Sequence, residues 1–570
     1  MKTALRGFLC ALTLAACLYV QAQEKEILSL TGAAAIEELE EEEYERLCAL
    51  LAAPIPINAA SLSRLQSCGL FTRFQAISLA DYRSRSGEIL SLSELALIDG
   101  VSRETAEALA PFLSLRPTGK AGLPPRSLAH GDGVLRGEVK NENTGYAAKA
   151  RVEREGRFIL SAAARATAAK KPGAPDTWSF NATRHFCRRS GKIMLGDFNA
   201  RFGQGLALWN GFSLGGLTTA ESFARHPTGL SPAWSFSPDG PLRGVAGDVG
   251  LGHLNLSAVT AFPGLRQRMD GNPRAALSAL GALNVQWTGR RAEVSTTALS
   301  GFPLMESGAR ATVPSRLAAD FRWTPGHLGY FGEAAVDLRT GALAGVGGVI
   351  WSPAYQKKLS VVVRHYPAAF QADLCGGVRA GTRCSGESGI AAGLRLPAFR
   401  VTADYAHFPA KGYGQLKILA LAPLHFKDRY SLTPRVQLRW REGRLRQEYR
   451  LEAVRDATPW QMKLRADAVR FDALAWQAYA EAGRKTERFS VYARAGLFMV
   501  DDWDDRIYVY ERDAPGSFNV PALYGRGGYA SLVAALKWKR HKLYLRIGGS
   551  RYVTDKPGRS ECKLQYTLDL

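Results

Sequence analysis

Several short stretches carry residue types that could do chemistry. Phe202-Gly203-Gln204-Gly205 has the look of a phosphate-cradling loop. It lacks the Gly-Lys-Ser/Thr ending, and no helical pattern follows it. Its alternation fits a strand with glycine where backbones or rings pack closely. Asp501-Asp502-Trp503-Asp504-Asp505 gathers the oxygen ligands that Ca²⁺ prefers, without the EF-hand spacing or its glycine. An acidic loop tip is the simpler reading, and the nearby Glu511, Arg512 and Asp513 make that loop a folded lid or constriction. Gly211-Phe212-Ser213-Leu214-Gly215 spells G-x-S-x-G, but a nucleophile elbow needs a helix after the turn, and none is patterned here. His185 and Cys187 share one face of a strand, which reads as structural. Asp197 suits a turn or an inward polar network. No Cys/His spacing suggests a metal site. The chain is therefore read as a non-enzyme with no cofactor and no metal.

Of the eight cysteines, Cys10 and Cys17 fall in the apolar leader. Cys375 and Cys384 bracket the glycine-rich stretch 376–383, which an oxidising compartment could close as a surface-loop disulfide. Cys48 and Cys68 either pair or remain as buried thiols.

Charge is unevenly placed. The net charge is +22. Residues 23–115 hold about 7 basic and 15 acidic side chains, about −8, which leaves about +28 for residues 116–570. If that excess lines a lumen it favours anionic solutes or polyanions. If it lies on rim and loops, it meets lipopolysaccharide phosphates.

The N-terminus reads as an export signal over 1–22. Lys2 and Arg6 precede an apolar run, and Val20-Gln21-Ala22 fits a cleavage site. Leu14-Ala15-Ala16-Cys17 offers the competing reading of a lipobox. No later segment is apolar over about 18 residues, so a spanning mature chain would have to cross with strands.

Residues 23–54 read as an acidic helical segment, with a helix over 33–52 ended by Pro54 and Pro56 and its acid run taken as a solvated face. Residues 55–115 read as helix, short glycine turn, helix, repeated once, with Asn58, Ser91 or Ser93, and Ser102 as caps. This segment resembles tandem helix-hairpin-helix domains. The resemblance rests on Ile57-Asn58-Ala59-Ala60-Ser61, Asp81-Tyr82-Arg83, Glu94-Leu95 and Ile98-Asp99-Gly100-Val101, and extends to the periplasmic DNA receptor of natural competence. It implies that backbone amides at the hairpins hold a DNA phosphate. Gly69, Gly100 and Ser102 would supply those amides, with Arg73 and Arg103 beside them. The hairpins depart from the pattern: Cys68-Gly69-Leu70-Phe71-Thr72 has one glycine, and Ser102 stands where the second glycine of the other hairpin belongs. Asp99 and the near-neutral balance of 56–115 oppose electrostatic DNA binding. A protein-docking module is the alternative.

Residues 116–132 form a Pro/Gly linker. From about 133 to 570 the pattern is short alternating strands. Arg435 to Trp440 turns at Glu442-Gly443 into Leu445 to Leu451. The chain ends Glu561-Cys562-Lys563-Leu564-Gln565-Tyr566-Thr567-Leu568-Asp569-Leu570, with apolar residues alternating and Tyr566 at a girdle position. Outer-membrane barrels close with such a strand, and 435 residues or so at roughly 20 per strand and loop give about 18 to 24 strands. This part resembles a family of long Gram-negative outer-membrane proteins with an N-terminal helix-hairpin-helix domain. The resemblance rests on Leu195-Gly196-Asp197-Phe198, Phe202-Gly203-Gln204-Gly205-Leu206, Arg243-Gly244-Val245-Ala246, Arg506-Ile507-Tyr508-Val509-Tyr510-Glu511 and Tyr524-Gly525-Arg526-Gly527. It implies location and architecture, not an activity.

The expected fold is thus α+β and multidomain: a small all-α tandem-hairpin domain facing the periplasm, then a large antiparallel transmembrane β-barrel. Three function classes follow. One is a channel or receptor for DNA or another anionic polymer. Another is a non-transporting assembly protein, whose helical domain docks a periplasmic protein or whose acidic 24–45 segment plugs the basic barrel. A soluble secreted β-protein is the third class.

Overall fold

The computed structural model describes residues 21–570 except 40, 61, 118–128, 155–156, 172, 187–190, 212–217, 235–239, 266–276, 290, 306–313, 427–428, 458, 487, 555 and 570. Residues 1–20 of the expected signal, most of the linker, Cys187 and most of the G-x-S-x-G stretch therefore lie outside the described residues.

The N-terminal region is helical. Its helices are α1 (Gln21–Thr31), α2 (Glu41–Ala52), α3 (Leu62–Ser67), α4 (Arg73–Ser86), α5 (Leu92–Leu95) and α6 (Arg103–Leu109). Thr72 and Gln75 form a reciprocal capping box on α4, while the Ser91 and Ser102 hydroxyls accept from Glu94 and Thr105 amides. Gly69 and Gly100 make the turns α3–α4 and α5–α6 with φ of +74° and +81°, a region glycine enters freely. A parallel pairing of Ile55–Pro56 with Leu113–Ser114 ties the two ends of this unit together.

The helix expected over 33–52 is not continuous. Gly32 breaks the chain at φ +68°, a 3₁₀ turn occupies Ile36–Glu38, and Ala35 and Leu39 are extended. The break turns Glu37 and Glu38 outward from the helical unit. Glu37, Glu38, Glu43 and Glu45 of the acid run are thus not on a solvated face.

Among the described residues, 24 strands close into an antiparallel barrel. It begins at Ala129–Lys140, slightly ahead of the expected 133, and ends at Arg559–Asp569. First and last strands pair, with Leu135 opposite Tyr566 and Lys140 opposite Glu561. Period-2 alternation sets the two faces. Leu135, Leu464 and Leu564 are exposed outside, whereas Arg136, Lys463, Arg465, Lys563 and Gln565 are buried inside. The end that receives the linker and the C-terminus has short turns, such as 252–253, 355–356 and 539–540. The long connections 202–228, 367–386 and 501–524 lie at the opposite, loop end. Exposed aromatic side chains ring the terminus end: Trp287, Trp323, Trp351, Phe399, Trp460 and Trp538.

Cys375 and Cys384 are free thiols, so the expected loop disulfide is absent from the structure. The two side chains serve different contacts: Cys375 donates to the Leu206 carbonyl at 3.0 Å, while Cys384 is packed in an apolar cluster with Tyr366 and Val378. Cys48 and Cys68 are likewise free and buried.

Candidate functional site: the plugged lumen

The helical region lies against the inner wall of the barrel. Its acidic side chains meet basic ones that the strands present inward. Glu37 sits 2.6 Å from Arg465 and 3.7 Å from Arg450, and Glu38 is 2.9 Å from Arg435. Glu24 reaches Arg512 at 3.4 Å and Lys463 at 3.8 Å. Glu43 is 3.6 Å from Arg201, and Glu45 pairs with Lys149, both buried. The exchange also runs the other way, with Arg64 3.0 Å from Glu153. Burial alone would raise the Glu37 carboxyl, but the Arg465 and Arg450 guanidinia hold it well below the usual carboxylate range. Glu43 is likewise lowered against its burial by Arg46 and Arg201.

Loops from the other end complete the closure. Tyr510 and Phe518, on connection 501–524, pack on Tyr44 of α2, and the Tyr44 and Tyr510 hydroxyls are 2.7 Å apart. Tyr510 belongs to the same apolar core as Leu47, Phe71 and Phe112 of the helical region. Thr219, on connection 202–228, hydrogen-bonds the Gly32 carbonyl. The stretch after Trp503 is thus the folded constriction expected from the sequence. Asp472, Asp502 and Asp504 gather at its exposed tip, where Asp502 accepts from the Asp504 amide at 2.8 Å.

The Phe202–Ala207 turn is neither a strand nor a phosphate loop. Gly203 and Gly205 take φ of +59° and +89°. The amides of Gln204, Leu206 and Ala207 then converge on the Glu333 carboxylate at 2.6, 3.0 and 3.0 Å. Successive amides form an anion nest, and a wall carboxylate of the chain itself fills it. Asp197 takes the inward network role: it pairs with Arg243 at 2.8 Å and accepts the Phe180 amide at 3.0 Å.

The hairpin residues fall in two places. Behind Gly69, Arg46 donates to the Cys68 carbonyl at 3.0 Å, so its guanidinium fills the space where a glycine substituent would project. Arg73 opens α4 just after this turn. Gly100, Ser102 and Arg103 lie together at the terminus-end mouth. Gly100 packs on the Phe74 ring, and its carbonyl accepts from Gln75 at 2.8 Å. The Ser102 hydroxyl caps α6. Arg103 pairs with Glu107 at 3.1 Å and lies 4.9 Å from the centre of the Tyr355 ring, in a short turn of the barrel. Glu107 also bonds the Tyr355 hydroxyl, and Glu104 is 3.4 Å from Lys358.

A basic row on the wall is not singled out by the sequence pattern alone. Strands Tyr430–Arg441 and Arg444–Ala457 set Arg435 opposite Arg450, Arg439 opposite Arg446 and Arg441 opposite Arg444. The period-2 spacing of these arginines about Glu442-Gly443 was the available signal.

No family model matches the chain, and neither does any curated protein. Solved structures do resemble it. The P pilus usher (PapC) translocation pore is 12% identical with a TM-score of 0.39, covering 78% of this chain and 99% of that one. The usher in an E. coli P pilus tip assembly intermediate is 11% identical with a TM-score of 0.46, covering 78% and 62%. OccK7 (OpdD) of Pseudomonas aeruginosa is 8% identical with a TM-score of 0.30, covering 78% and 99%.

Proposed function

We propose that this chain is an outer-membrane pore held shut by its own N-terminal helical domain, and that displacing the domain admits an anionic cargo. The observation that carries the reading is the ion-paired seam of Glu24, Glu37, Glu38, Glu43 and Glu45 against Lys463, Arg465, Arg435, Arg201 and Lys149. A membrane location is supported by the apolar outer face and by the aromatic ring at one end, where a bilayer interface favours Trp and Tyr. Short turns at the terminus end and long loops at the other are the pattern of periplasmic and extracellular sides.

DNA is the polymer variety of that cargo, through phosphate contacts at Gly69, Arg73, Gly100, Ser102 and Arg103. In the seated domain the Arg103 guanidinium lies over the barrel's Tyr355 ring, so a phosphate contact there requires the domain to leave its seat. Docking of a periplasmic protein is a second reading, favoured by Leu90, Leu92 and Leu97, which stay exposed on the helical domain, Leu97 at 73%.

Planar-bilayer conductance tests the main reading. The full chain is expected to be nearly silent, and a chain lacking residues 23–116 to conduct with anion preference. Equal conductance by both would overturn it.

A further inference from the structure

The arginine rows sit in a cavity of about 640 Å³ at the loop end, floored by Glu37 and Glu38 of the plug. Like charges placed directly across two strands repel one another. Here three such pairs occur in succession, with only the Gln437–Glu448 pair among them. The neighbouring strand sets Lys417 opposite Arg439, which extends that row to three cations.

The rows are not equally occupied. Arg435 and Arg450 hold Glu38 and Glu37 of the plug. Arg446 holds Glu448 at 2.7 Å, and its terminal nitrogens donate to the Asp504 carbonyl and, at 3.4 Å, to the Arg506 carbonyl, so Arg439 is the less occupied member of its row. Arg439 has a buried Nε–H with no hydrogen-bond partner among the described residues. Arg441 and Arg444 pair with Glu442 and Asp472 in half-exposed contacts, which hold weakly, and their guanidinia lie 4.9 and 4.1 Å from the centres of the Tyr413 and Phe471 rings. A buried, unsatisfied guanidinium donor within a repulsive row is unfavourable unless an anion completes it.

We infer that this wall is a binding site for a saccharide-sized ligand bearing two anionic groups, one on the Arg439–Arg446 row and one on the Arg441–Arg444 row. Opposite residues of two strands are about 5 Å apart, so two guanidinium forks can share one phosphate or carboxylate. The rows are two residues apart along the strand, about 7 Å, which sets the separation of the two groups. The cavity volume is that of a small-molecule site rather than of a folded protein. The inference stands on the wall of the closed chain and is independent of plug release.

Isothermal titration of the full chain in detergent tests it. Fructose 1,6-bisphosphate probes the phosphate source, digalacturonate the carboxylate source, and maltose is the neutral control. At least one anion should bind, and whichever does names the source. Arg439→Gln with Arg446→Gln should weaken it at least about tenfold, the scale of losing one charge-assisted bond. Arg439→Lys should fall between, because it keeps the charge and loses the fork. Arg383→Gln, on an exposed loop outside the cavity, should leave binding unchanged. Resistance of the barrel to unfolding in sodium dodecyl sulfate reports that each variant is folded. Binding of neither anion, binding as tight in the folded double variant, or equal binding of maltose would overturn the inference.

Discussion

Glu37 of the plug and Arg465 of the wall, 428 positions apart in the chain, meet at 2.6 Å with both side chains nearly buried. The contact can form only with the helical domain inside the lumen. Arg450 also approaches Glu37, and Asp467 lies 2.7 Å from Arg465, so the pair belongs to a network. Removing one partner of an isolated buried pair costs about 3 to 5 kcal/mol, and Asp467, which still faces Arg465 and Arg450, keeps the loss below that. Glu37→Gln is therefore expected to weaken the seat and raise bilayer conductance. A double variant with Arg465→Gln should recover part of the closure. Hydrogen exchange in α2 would report the loosening directly, and an unchanged exchange rate would contradict the assignment.

Closure should be insensitive to mild acid. Glu37 and Glu43 titrate below the ordinary value of 4.5 because the arginines favour their charged forms. A depressed folded pKa contributes stability that is fully present above the unfolded value and is lost as pH falls through the folded one. Conductance measured from pH 7 to 5 should stay low, with opening only well below 4.5. Opening near pH 6 would mean that another group controls the seat.

The Phe202–Ala207 nest should matter to the loop-end seal. Glu333→Ala strips three amides of their acceptor, and each buried orphan donor costs about 1 to 3 kcal/mol. Gly205→Ala strains a backbone at φ +89° and drives a methyl within 2.8 Å of the Gly376 carbonyl carbon. Both variants should speed hydrogen exchange across 202–207 while barrel strands remain protected. Protection of that loop in both would remove the nest from the account.

The hairpin contacts should depend on release. Glu104→Gln with Glu107→Gln frees Arg103 and the α6 turn from the barrel rim. DNA binding by this full-length variant should be stronger than by the intact chain, fall steeply with salt and be lost on Arg73→Ala with Arg103→Ala. Equal binding by both chains would show that the seat does not mask the hairpins. Absence of binding by either would remove DNA as the cargo.

Much of the architecture is legible in the residues because strand alternation is local. The closing strand reads outward at Cys562 and Leu564 and inward at Glu561 and Lys563, as its pattern indicates. The estimate of 18 to 24 strands reaches 24 at its upper end. The charge split between the two parts of the chain likewise raises the possibility of an internal plug. Local pattern cannot give which carboxylate meets which guanidinium, since Glu38 and Arg435 are brought together only by barrel closure. Nor can it distinguish a helix with a solvated acid face from one broken at Gly32 to aim Glu37 and Glu38 at a wall. The alternation at 202–205 reads as a strand, whereas the turn is an anion nest whose anion, Glu333, lies more than a hundred residues away.

Cross-linking in intact outer membranes tests the central claim most directly. Glu38 and Arg435 are joined at 2.9 Å. In a chain whose native cysteines are replaced by serine, Glu38→Cys with Arg435→Cys should be bridged by a short bifunctional thiol reagent and should lock the pore silent. Single labelling of both cysteines without a bridge would contradict a domain seated in the lumen.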